Sequence, residues 1–140
     1  MHILRRFACF LASLLLLAGS VLAQTPSDGH AIKENLKHPE SVAYDADTDR
    51  FYAANVGEKL APSAKDGDGF ITRLSTDGTV ETRRYLPASD DATLHAPKGT
   101  VVLDGRLYTA DIDRVVGFDL DSRQKRADID LAPHGVTFVN

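Results

Sequence analysis

The chain has 140 residues, 16 Lys+Arg against 20 Asp+Glu and a net charge of −4, with a single cysteine and no tryptophan. An acidic balance disfavours nucleic acid or an anionic membrane surface as a partner, because neither attracts a negative protein. One cysteine excludes an internal disulfide framework, so stability must come from a hydrophobic core, a metal or an assembly.

The chain opens MHILRRFACFLASLLLLAGSVLAQ. Arg5 and Arg6 form a basic start, Phe7 to Leu17 is apolar apart from Ser13, and Val21-Leu22-Ala23 puts small residues at a cleavage site. This pattern predicts a secretory signal peptide over 1–23 rather than a membrane anchor, because the apolar run is short for a span. Ser20 stands where a lipoprotein signal needs cysteine, and Cys9 would leave with the signal. Losing Arg5 and Arg6 leaves 14 basic residues against 20 acidic, a mature charge of −6. The expected location is periplasmic or secreted, with no membrane contact after cleavage. Residues 24–37 read as a polar leader.

From residue 38 the sequence repeats. HPESVAYD (38–45), APKGTVVLDG (96–105) and APHGVTFVN (132–140) each set a proline before an alternating apolar run. FYAANV (51–56) matches LYTADI (107–112), FITRLSTDG (70–78) matches RVVGFDLDS (114–122), and VETRRYL (80–86) matches KRADIDL (125–131). Alternation broken by Asp/Gly turns predicts four short strands per unit. Proline ahead of the first strand removes no ladder bond. Four strands in roughly 40 residues is the mark of a β-propeller blade, against a β-sandwich as the competing fold. The expectation is an all-β partial propeller over 38–140: blade one 38–86, blade two 96–131, and the first strand of a third blade in 132–140. Since a blade buries its faces on its neighbours, two blades and a strand read as a truncated product or a fragment, with the remaining blades missing.

The stretch KDGDGFITRLSTDG (65–78) has the middle of a calcium loop in Asp66, Asp68, Gly69 and Ile71, but Ala64 and Ser75 occupy the opening and closing ligand positions. The simpler reading is a glycine-rich turn into a strand, with Asp66 and Asp68 as weak metal candidates. In a propeller the innermost strands start at the face where ligands bind. That places Glu40, Lys98 and His134, each following a repeat proline, at the channel mouth, with Asn55, Asp111 and Asp113 at the ends of the second strands nearby. His38 and His95 precede their prolines and read as architectural.

PESVAYD…DRFYAANV and PKGTVVLDGRLYTADIDRVVGFDL resemble the senescence-marker-protein/gluconolactonase-like superfamily of six-bladed propellers, with NHL and YVTN-type repeat character. The resemblance spans 38–140. It implies that Glu40, in a stretch similar to the family's Glu-Ser-Pro-Val-Trp, is a carboxylate ligand of a catalytic calcium, zinc or magnesium ion that polarises a lactone carbonyl and activates water. Val42 and Tyr44 depart from that motif, and the family's other ligands belong to later blades. Asn140 resembles an asparagine that contacts substrate. Two functions follow: an exported lactonase-like hydrolase, or a non-catalytic periplasmic propeller that binds a small molecule or a protein on the same face.

Overall fold

The computed structural model describes residues 29, 32 and 34–140; the expected signal peptide and most of the polar leader lie outside them. No helix among the described residues is long and apolar enough to cross a membrane. The described chain forms β1 (Pro39–Asp45), β2 (Arg50–Asn55), β3 (Phe70–Ser75), β4 (Val80–Leu86), β5 (Pro97–Leu103), β6 (Arg106–Asp111), β7 (Arg114–Asp119) and β8 (Lys125–Asp130). They make two antiparallel sheets in sequence order, β1-β2-β3-β4 and β5-β6-β7-β8. All eight strands fall where the alternating pattern puts them.

The turns follow from their residues. Asp104 and Gly105 link β5 to β6, and both have positive φ (49° and 70°). An Asp-Gly pair with this geometry is the two-residue hairpin turn whose twist matches that of the strands. Between β6 and β7 the turn is Ile112-Asp113, with Ile112 at φ 61°. A β-branched residue is strained there. Burial holds it, because Ile112 packs with Val56 and Ala96 in a small apolar cluster.

The sheets meet where β1 lies against β5, with β2 also reaching β5. They therefore fan outward from their first strands, as neighbouring propeller blades do. Blade one contributes its Tyr52, Ala54, Ile71 and Leu86 face, and blade two its Leu107, Val116 and Phe118 face, to one continuous core. Tyr85 closes this core at one end by donating its hydroxyl to the Leu120 carbonyl at 2.5 Å. Tyr52, Ile71, Leu86, Leu107, Val116 and Phe118 are essentially inaccessible, and each large side chain so buried is worth about 1.5–3 kcal/mol.

Residues 132–140, expected as the first strand of a third blade, depart from the repeat. Ala132–His134 is a single 3-10 turn with Pro133 in its first positions, ended by Gly135 at φ 79°. Proline suits a helix start as well as a strand start, so the shared motif did not separate the two. The segment beyond it forms no ladder; Val139 donates one backbone bond to the Ile112 carbonyl at 2.6 Å.

Each blade has a side-chain clasp at the end of its second strand. In blade one the Asn55 carboxamide oxygen accepts the Lys37 amide at 2.7 Å, and its nitrogen donates to the Ala53 carbonyl and the Thr72 hydroxyl. In blade two Asp111 accepts the amides of His95 and Ala96 at 3.0 and 2.8 Å and pairs with Arg114 at 2.8 Å. Lys37 and His95 both lie two residues before a repeat proline. The clasps thus fix the chain just before it enters β1 and β5, where proline supplies no donor of its own. Replacing Asp111 with Ala leaves the two amides without their acceptor and takes from Arg114 one of its partners, Asp128 and the Thr93 carbonyl remaining. A loss of about 3–5 kcal/mol is expected, and Asp111→Asn, which imitates blade one, should recover part of it; urea denaturation of the three proteins measures the difference.

Candidate functional site

The starts of β1 and β5, the loop 56–69, the Ile112-Asp113 turn and the segment after β8 lie at one end of the blades. This is the end to which the channel-mouth residues were assigned, and the structure sorts them by what already occupies their polar atoms.

Asn55 and Asp111 are both 0 % exposed, and their polar atoms are taken up by the clasps. Asp113 pairs with Lys65 at 2.5 Å; that hydrogen bond holds its carboxyl below the ordinary carboxylate range. His134 is exposed on the 3-10 turn. Asn140 is also exposed, and its backbone passes Gly99 so closely that a Cβ there would lie 3.1 Å from the Asn140 carbonyl carbon.

Lys98 is 2 % exposed. Its ammonium donates to the carbonyls of Pro62 and Ala96, both at 2.8 Å, and lies 4.6 Å from the centre of the Phe138 ring. Burial lowers its pKa, and the negative charges of Asp111 and Glu40 oppose that shift in part. The peptide carbonyl of Lys98 accepts the Ser41 hydroxyl at 2.6 Å, which ties β5 to β1 beside Glu40. Glu40 itself is exposed at the second position of β1. Among the described residues it makes no hydrogen bond or close ion pair, and its electrostatic partner is Lys98.

The loop 56–69 runs from blade one onto blade two. Gly69 donates to the Leu94 carbonyl at 2.9 Å, Gly67 to His95 Nδ1 at 3.0 Å, and Pro62 and Lys65 make the contacts above. Gly69 must be glycine, since a Cβ would collide with Pro97 and the His95 carbonyl. The acidic residues of the loop are matched by the arginines of β4. Asp68 accepts the Glu58 amide at 2.6 Å and Arg84 at 3.1 Å, while Glu58 pairs with Arg83 and Lys37. Asp66 accepts the Asp68 amide at 3.2 Å, an ordinary local turn bond. Arg83 and Arg84 went unnoticed in the sequence, although RRYL is a visible basic pair in VETRRYL.

Among the described residues no three His, Cys, Asp or Glu side chains are grouped so as to hold a metal. Calcium takes about 6–8 oxygens and catalytic zinc about three protein ligands. Glu40 offers one carboxylate, with an ammonium nearby that competes for it. The described residues therefore do not by themselves fit the divalent ion that the resemblance implies.

The fold and this face define a pair of propeller-type blades in which, among the described residues, the Glu40 carboxylate at the start of β1 has no hydrogen bond or close ion pair. No family model matches the chain, and no curated protein matches it. Among solved structures it is similar to a gluconolactonase from Xanthomonas campestris, described as important in glucose secondary metabolic pathways, with 24% identity and a TM-score of 0.47. The match covers 68% of this chain and 28% of that one, so the chain spans under a third of that enzyme's length.

Burial works against the charged form of Asp68, but the Glu58 amide, Arg84 and the Lys59 amide outweigh it and its pKa is lowered. A lowered carboxylate contributes stability that is complete above its unfolded pKa, about 4, and is lost as pH falls through the folded value. Asp68→Asn should therefore speed hydrogen exchange at the Glu58 amide at neutral pH by about fivefold, on the order of 1 kcal/mol. The wild-type advantage should shrink on acidification below pH 4 or so, as exchange measured across that range will show.

Proposed function

We propose that this chain is part of an exported propeller-type hydrolase acting on lactones, with Glu40 as a working carboxylate at the channel mouth. The carrying observation is the contrast among the acidic candidates. Asp68, Asp111 and Asp113 are each committed to basic partners, whereas Glu40 is exposed and unbonded among the described residues at the start of β1. The likeness of residues 40–44 to the opening motif of the lactonase superfamily supports the same reading. A carboxylate so placed can take a proton from water or serve as one ligand of a metal whose remaining ligands come from outside the described residues. The buried Lys98 ammonium beside it offers a positive field to the oxyanion that forms when water adds to a lactone carbonyl. Export is part of the proposal and rests on the 1–23 pattern.

The test is hydrolysis of an aldonolactone by the full chain, followed by proton release with calcium, zinc or magnesium added in turn. Turnover above the buffer rate is expected, falling about a hundredfold in Glu40→Gln. A folded chain with no turnover under any of the three metals would overturn the hydrolase reading and leave a propeller that binds ligand or protein without catalysis.

A further inference from the structure

The two faces of each sheet are unlike, and the repeat shows what each one fits. Strand pairing puts Val42, Phe51, Ala53 and Leu74 on one face of blade one, and Ala43, Tyr52 and Ala54 on the other. Aligned by the repeat, Phe51 and Leu74 correspond to Leu107 and Phe118 of blade two, while Tyr52 and Ala43 correspond to Tyr108 and Val101. Inside the chain the Tyr52 face of blade one is covered by the Leu107 and Phe118 face of blade two. The contact joins unlike faces, head to tail, so among the described residues one face of each kind is not covered by the other blade.

Those leftover faces are apolar and partly exposed; on blade one Ala53 and Leu74 are already buried, while Val42 and part of Phe51 reach solvent. On blade one a groove of about 480 Å³ is walled by Val42, Phe51, Ala53 and Leu74, with Ile32 and Leu36 at its rim. Val42 is 61 % exposed. On blade two the matching Tyr108 face presents Val101 and Ile129, 55 % and 52 % exposed, with the Tyr108 ring lying across Gly117. A single chain therefore carries both halves of the interface already formed between its own blades.

We propose that the Tyr108 face of one copy of this chain docks on the Phe51 face of a second copy, repeating the contact between blade one and blade two. The inference rests on the sheet faces alone and is independent of any lactone chemistry. The contact is heterologous, since each copy uses a different patch, so it propagates beyond two copies until a ring closes or a filament grows.

Sedimentation velocity of the full chain at micromolar concentrations tests it. The wild type should run as a species of more than two copies. Val42→Asp, which blocks one face, and Ile129→Asp, which blocks the other, should each run as a single copy. Mixed in equal amounts, they should form a species of two copies and stop, because each variant retains the face the other lacks. Both side chains are more than half exposed in one copy, so the fold should survive, and a circular dichroism spectrum checks it. Should Ile129→Asp fail to fold, Val101→Lys blocks the same face. A wild type that stays a single copy overturns the proposal. So do variants that keep the wild-type mass, which places the contact elsewhere, and a mixture that forms no pair.

Discussion

Each four-stranded sheet has two apolar faces and, among the described residues, no α-helix to cover either, and the arrangement of the blades follows from that constraint. Tyr52, Ala54, Ile71 and Leu86 can leave water only by meeting another sheet, and Leu107, Val116 and Phe118 supply it. The hydrogen-bonded ladders satisfy the backbone within each blade, but they cannot remove these side chains from solvent. The turns, the clasps and the loop 56–69 act on this contact, setting where each sheet begins and how firmly the second is held against the first.

Polar groups at the channel-mouth end have been divided between building and acting. Asn55 and Asp111 stand at equivalent places and do equivalent work with different chemistry, a neutral carboxamide in one blade and a carboxylate paired with Arg114 in the other. Lys98 is buried under Pro62 and Phe138, close enough to Glu40 for their charges to interact. Among the acidic residues described at this end, Glu40 is the one left exposed without a hydrogen bond or close ion pair. The neighbours around it have their own atoms tied up, so the local field at Glu40 is fixed by the fold.

The strands were legible in the sequence because the alternation is strict and each run is bounded by Asp/Gly turns. Chain direction and sheet order followed from the repeat. The roles of Asn55 and Asp111 were not legible, because period-2 reasoning says which residues end a strand but not that a side chain turns back to catch an amide before the next strand. The turn into β3 was legible in DGDG, but the partners of the loop's carboxylates were not, because Arg83 and Arg84, which pair with Glu58 and Asp68, lie some 15–25 residues further on. Pro133 copied the motif of Pro39 and Pro97 yet begins a 3-10 turn, since proline's fixed φ is compatible with both conformations.

The loop 56–69 replaces what is only a two-residue turn in the second blade, yet β2 and β3 remain paired up to Asn55 and Phe70. With the two stems already held together, the entropy of closing a loop between them rises only with the logarithm of its length. The insertion therefore leaves the register of both sheets untouched while carrying side chains across to the neighbouring blade. A change in the length of this loop leaves strand pairing intact, while Pro62, Lys65 and Asp68, held by Lys98, Asp113 and Arg84, fix the course the loop takes across the blades.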